Sequence, residues 1–297
     1  VTLALLLLMV VWWITEAIPL PATALLPIVI LPLFRVTGTQ ASSIYEFTSR
    51  NVLLSYSHPV IFLFLGGFLM AAAMQKWKLD RRFTLWLLTR GSLANDTRTV
   101  LLGLMAATAF VSMWISNTAA AAMMLPLGLG VISLTGGQPG KSRYGTAVML
   151  GIAWSASIGG VGTISGTPPN GIALGILDTT FGADPSYQRI TFLDWMKFGV
   201  PYVFLFVPVA WLLLVRMFPP EIIRLPGGKE KLENERFGLG PLSAGEKSTI
   251  LVFSLAVLFW ITNPFWENLL PLDMASQLSW IDEYSIGITF GVLLFLI

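Results

Sequence analysis

The sequence predicts an all-α, polytopic membrane protein, and three observations carry that prediction. Only 11% of the 297 residues are charged, while 55% are hydrophobic; a soluble globular domain carries about 25% charged residues and needs a charged shell. Residues 17–34, 51–75, 99–140, 144–177, 198–215 and 248–266 contain no Asp, Glu, Lys or Arg, and a bilayer span needs about 20 mostly apolar residues. Strand-length segments of alternating polarity, the signature of a membrane β-barrel, are absent from the sequence.

Charge orders these spans. Cytoplasmic loops are rich in Lys and Arg. Residues 76–98 carry Lys76, Lys78, Arg81, Arg82, Arg90 and Arg98 against Asp80 and Asp96; Lys141 and Arg143 follow, and 216–247 carries six basic residues. These three connections are expected inside. Residues 178–197 hold Asp178, Asp184 and Asp194 against Arg189 and Lys197, and 267–283 hold four acids and no base, so both are expected outside. Spans are then expected at 1–16, 20–35, 58–78, 144–177, 196–216 and 248–265, alternating in direction. The 216–247 stretch, with Pro219-Pro220 and Gly227-Gly228, reads as a cytoplasmic connector between two halves.

Residues 99–140 break the alternation, because they are uncharged while both flanks read as cytoplasmic. The chain must enter and return. A re-entrant hairpin with its tip near the midplane is the expectation, and a full helical hairpin with an outside turn is the alternative. Ser116-Asn117-Thr118 lies mid-segment, before an alanine run. Ser, Asn and Thr are preferred N-caps, so one helix should end near Ile115 and another start near Thr118. Ser112, four residues before Ser116, shares a helix face with it.

A second break is expected within 144–177. Residues 155–171 combine a high density of glycine with Pro168-Pro169. The first half-helix should end around Ile164 to Gly166, with Thr167 as N-cap and Pro168 at the first helical position. Non-helical backbone at membrane depth is tolerated only where it is buried or lines a cavity, and two such breaks point to a transporter binding site. For Gly159 and Gly160 alone, close helix packing explains the residues as well as function does. Gly160, Gly162 and Gly166 miss the dinucleotide-loop spacing.

What the breaks lack defines their chemistry. Neither contains an ionisable side chain. Half-helix N-termini favour anions; half-helix C-termini, hydroxyls and amide oxygens suit a hard cation such as sodium. The absence of cysteine excludes disulfides and thiolate metal sites. An enzyme would need an acid, base, metal ligand or partnered nucleophile at depth, and the breaks offer only hydroxyls without partners. His58, before Pro59, reads as an interfacial helix-start residue, and Glu16 as interfacial or capping. The chain begins at Val1 and ends at Ile297 inside apolar segments, so it reads as a piece of a longer protein.

Trp-Trp-Ile-Thr-Glu-Ala-Ile-Pro-Leu-Pro at 12–21, Ser116-Asn117-Thr118 and Gly166-Thr167-Pro168-Pro169-Asn170 together resemble the divalent anion:sodium symporter family, which includes the INDY-type dicarboxylate transporters. The resemblance implies an inverted-repeat, elevator-type inner-membrane carrier that forms homodimers through scaffold helices. On that match, residues 1–215 are the first repeat, with scaffold helices at about 1–98, a hairpin at about 99–140, a broken helix at about 144–178 and a helix at about 196–216. Residues 248–297 begin the second repeat. Ser112, Ser116, Asn117 and the Gly166 backbone would hold a sodium ion, and Asn117, Thr118 and Thr167 would meet substrate carboxylates. The family's second Ser-Asn-Thr motif does not occur in the sequence and is expected beyond Ile297. The function implied is sodium-coupled symport of a C4-dicarboxylate such as succinate, malate or fumarate. A dicarboxylate or citrate exchanger, or a sulfate transporter of the same fold, is the alternative. The expected partners are the dianion, sodium, the bilayer and a second copy; a transition metal and nucleic acid are not expected.

Overall fold

The computed structural model describes residues 1–40, 43–90, 96–137, 141–224, 227–266, 271–278 and 280–296. Parts of the expected loops, hairpin and connector at 91–95, 138–140, 225–226 and 267–270, and Ile297, lie outside the described residues. The chain divides into two compact units, Val1–Ile61 and Phe62–Ile297.

In the first unit, α1 (Thr2–Thr15) ends on Glu16, whose φ of 50° makes it a left-handed C-cap with its N–H donated to Trp12 O. The single span expected at 20–35 is instead two short helices, α2 (Leu20–Ala24) and α3 (Leu26–Leu33), meeting at Leu25. Pro27 and Pro32 lack the N–H groups a continuous ladder requires. A hairpin, β1 (Thr37–Gln40) with β2 (Ser43–Glu46), follows and corrects the all-α expectation; the threonines and Tyr45 favour extended backbone. The short helix α4 (Ser49–Ser55) is capped by the Thr48 side chain. Leu5, Met9, Leu31, Val36 and Val52 form the core of this unit, and Tyr56 Oη donates to Ala24 O at 2.6 Å. His58 Nδ1 accepts from Val60 N–H at 3.3 Å at the start of α5 (Pro59–Lys76).

The second unit carries the remaining helices. Residues 76–98, expected as a loop, contain α6 (Leu79–Leu88), which buries Leu79, Leu85 and Leu88. Next come α7 (Thr97–Ser112), α8 (Asn117–Leu134), α9 (Arg143–Gly160), α10 (Pro168–Phe181) and α11 (Phe192–Met217). The 216–247 connector contains its own helix, α12 (Gly228–Gly238), and is tied down at several points. Arg82 on α6 donates to Glu246 at 2.6 Å, Gly240 O at 2.9 Å and Leu239 O at 3.1 Å. Thr97 Oγ1 donates to Ile222 O at 2.7 Å, and Glu221 accepts from Arg143 N–H at 2.5 Å and Tyr144 N–H at 3.2 Å. The chain closes with α13 (Ala244–Thr262), α14 (Leu272–Gln277) and α15 (Glu283–Leu293).

Four helices among the described residues, α5, α8, α11 and α13, are long and apolar enough to cross a membrane. One core cluster joins α7, α8, α9 and α11 through residues such as Leu104, Met105, Met124, Val148 and Leu214. A second surrounds Trp260, Ile286 and Phe290, where Phe192 stacks on Trp260 with ring centroids 4.4 Å apart.

Candidate functional site

Two interruptions of helical backbone meet in the second unit. The α7 helix stops at Ser112, residues 113–115 turn, and α8 begins at Asn117. Ser116 caps α8, its Oγ accepting from Ala119 N–H at 3.3 Å. The second interruption separates α9, which ends at Gly160, from α10; a 3-10 turn, Ile164–Gly166, lies between. The half-helix therefore ends four residues before Ile164, because the glycines at 160 and 162 weaken its last turn. Thr167 is the N-cap of α10 and Pro168 its first residue, with no side-chain cap bond from Thr167.

Oxygen atoms converge where the breaks touch. The buried Ser112 Oγ lies 2.9 Å from Asn117 Oδ1 and 2.7 Å from Ala156 O. One hydroxyl carries one proton. When that proton serves Ala156 O, the Ser112 and Asn117 oxygens present lone pairs to each other, an arrangement a cation stabilises. Around Gly166, a Cβ would sit 2.6 Å from Gly160 O, 2.9 Å from Met113 O and 3.0 Å from Ser112 O. Only glycine leaves space for those three carbonyls. Gly159 and Gly160 divide the roles expected of them: a Cβ on Gly159 would strike Ala109 O at 2.2 Å, whereas one on Gly160 would strike Asn117 Oδ1 at 2.2 Å. Gly159 allows helix packing, and Gly160 makes room for the asparagine.

The unwound segment is held by groups to which the sequence alone assigned no role. Asn170 Nδ2 donates to Gly160 O and Thr163 O, both at 2.8 Å. The Thr163 hydroxyl donates to Met113 O, joining one break to the other. Trp195 Nε1, on α11, donates to Val161 O at 2.8 Å. These partners come from positions distant in sequence, and the signal that could have found them is the carbonyls a broken helix leaves without ladder partners.

The two new helix starts are not equivalent. Among the described residues, the N–H groups of Asn117 and Thr118 have no hydrogen-bond partner. Both residues line a groove of about 500 Å³ together with Ala121, Met149, Ala153 and Ser157. At α10, Pro168 and Pro169 have no N–H, and Asn170 N–H is already donated to Thr167 O at 3.1 Å. The backbone donor left at the start of α10 is the N–H of Thr167, which has no acceptor among the described residues. Ser112, Asn117 and Gly166 gather at one point; Ser116 is engaged as a cap; Thr118 faces the groove; Thr167 adjoins Gly166 in the chain and does not line the groove.

Comparison with known proteins gives the family of the chain. The family model for the sodium:sulfate symporter transmembrane region matches residues 1–297. The chain belongs to the sodium:sulfate symporter family. It is 37% identical over 303 aligned positions to the sodium-dependent dicarboxylate transporter SdcS of Staphylococcus saprophyticus, covering 99% of this chain and 54% of the relative. It is 36% identical to the protein of the same name from Staphylococcus aureus, with the same coverage of both chains. The chain thus spans about half the length of the curated relatives it matches. As a member of this symporter family it is a multi-pass membrane protein.

Proposed function

We propose that the protein takes part in sodium-coupled symport of a small dianion, a C4-dicarboxylate such as succinate, malate or fumarate, across the inner membrane. The observation that carries this reading is the meeting of oxygen ligands at Ser112, Asn117 and Gly166 beside the free N–H groups of Asn117 and Thr118. A hard cation takes oxygen ligands, and a helix N-terminus takes anionic groups. A sodium ion held by Ser112, Asn117 and the carbonyls around Gly166 would place positive charge beside the anion groove. Ser116 would assist through its backbone and its capping of α8. Asn117, Thr118 and Thr167 would meet the carboxylates.

The relatives are named for sodium-dependent dicarboxylate transport, which supports this reading. The finer architecture is part of the same proposal. The segment α7–α8 is a re-entrant hairpin open to the cytoplasm, α9–α10 is one interrupted span, residues 1–98 are scaffold, and an inverted second repeat completes the site. The carrier works by an elevator motion as a homodimer joined through scaffold helices.

The test is uptake of radiolabelled succinate by proteoliposomes containing the full-length protein, under imposed sodium gradients. Saturable uptake that rises with external sodium and is competed by malate and fumarate is expected. Uptake indifferent to sodium but driven by internal dicarboxylate would replace symport by exchange, and competition by sulfate alone would replace the substrate class.

A further inference from the structure

Asn170 belongs to neither set of residues assigned to the cation or to the anion. Its side chain is buried, 7% exposed. Both protons of an amide nitrogen are used on the backbone of the break, at Gly160 O and Thr163 O. Those two residues frame the oxygen cluster. Gly160 O is the nearest of the three carbonyls to a Cβ placed on Gly166, and Gly160 itself abuts Asn117 Oδ1. Thr163 carries the hydroxyl that donates to Met113 O, another of the three. The stretch from the last residue of α9 to α10 includes Gly160, Gly162 and Gly166. Glycine has the greatest backbone freedom of any residue, so this stretch cannot fix the direction of its own carbonyls.

We infer that Asn170 is a positioning residue for the cation site: by holding the Gly160 and Thr163 carbonyls it sets sodium affinity, while touching neither ion nor substrate. The inference rests on the sodium reading of this cluster. The amide is suited to the task because it donates twice from one atom to carbonyls three residues apart in the chain. Aspartate has the same shape and donates nothing when ionised, so it would face both carbonyls with negative charge. Groups at this remove from a metal ion change its affinity by roughly 10- to 100-fold when altered.

The experiment uses the full-length protein with Asn170→Asp and Asn170→Ser, the latter keeping one donor at shorter reach. Three quantities are measured: sodium half-saturation, succinate half-saturation at saturating sodium, and melting temperature in sodium-free buffer. Sodium half-saturation should rise by roughly 10- to 100-fold in Asn170→Asp and by less in Asn170→Ser, with succinate half-saturation close to the parent's in both; the sodium-free melting temperature should fall in Asn170→Asp, which buries an unpaired charge, and stay nearer the parent's in Asn170→Ser. A lowered melting temperature with parental sodium affinity, in whichever variant folds, would make Asn170 merely structural and overturn the inference. Amide exchange of the unmodified protein separates this result from failure of the underlying reading. Sodium should slow exchange across residues 160–166. Exchange that ignores sodium removes the sodium site itself; sodium-protected exchange together with parental sodium affinity in the variants overturns the role of Asn170 alone.

Discussion

Ser112 Oγ and Asn117 Oδ1 lie 2.9 Å apart, the first at the end of α7 and the second at the start of α8. Across the four residues between them one helix ends and the next begins, and an amide oxygen is returned to the hydroxyl. Ala156 O accepts from that same hydroxyl at 2.7 Å, so the neighbouring interrupted helix is fastened at this point too. The geometry places polar oxygens of three chain segments together without an ionisable side chain.

Thr167→Ala should raise the succinate concentration for half-maximal uptake more than the sodium concentration. The first turn of α10 lacks free N–H donors, because two positions are proline and Asn170 N–H is used. The donors that this helix start can offer to an anion are then the Thr167 hydroxyl and the Thr167 N–H; the substitution removes only the hydroxyl, and the Gly166 backbone survives it. Uptake assays titrating each solute separately read this out; a fall in sodium affinity alone would reverse the assignment.

The α7–α8 segment should be reached from one side only. Single cysteines replacing Arg98 and Lys141, both exposed, should react with an impermeant thiol reagent from the cytoplasmic face, in a chain with no cysteine of its own. A cysteine replacing Thr118 should be protected by succinate plus sodium. Ready labelling of that cysteine from outside, indifferent to both solutes, would indicate a hairpin that crosses the whole bilayer.

Glu221 should make stability depend on acid pH. Partial burial pushes its carboxyl up, but hydrogen bonds from the backbone N–H groups of Glu221, Arg143 and Tyr144 and from the Ser142 hydroxyl outweigh burial and hold it below the ordinary glutamate value. A carboxyl lowered in the folded state adds stability that is complete above its unfolded value and is lost as pH falls through the folded one. Glu221→Gln should cost about 1 kcal/mol at neutral pH, as loss of a helix cap does, and the gap should close on acidification below the usual glutamate range. Thermal melts of both proteins from neutral pH downwards check this; a gap that persists at low pH would separate Glu221 from the effect.

Much of this was legible in the sequence because single residues punctuate helices. Ser116 caps α8 with its side chain, and Thr167 stands at the N-cap position of α10, which Pro168 opens. Long uncharged runs marked α5, α11 and α13 within a few residues of their ends. The 20–35 stretch misled because hydropathy is blind to the proline spacing that splits it at Leu25. The helices α6 and α12 were hidden by their charge, since positive residues read as loop whether or not a helix presents them. The hairpin at 37–46 is short and has little apolar alternation. The site's supporting contacts, from Asn170, Thr163 and Trp195 to backbone oxygens, depend on the tertiary meeting of two breaks, which local sequence does not encode.

The central claim is that Asn117 serves both ions, its side-chain oxygen facing Ser112 and its N–H free at the start of α8. The most direct measurement is sodium-titrated succinate uptake by the full-length protein and by Asn117→Ala, with the folded fraction of each determined by gel filtration. Removing the amide leaves Ser112 with Ala156 O alone and takes one ligand from the cation, so the loss in sodium affinity should at least match the roughly 10- to 100-fold typical of outer-shell changes. Uptake by a folded Asn117→Ala protein should fall to background at sodium concentrations that saturate the parent. Near-normal uptake with an unchanged sodium dependence would contradict the account.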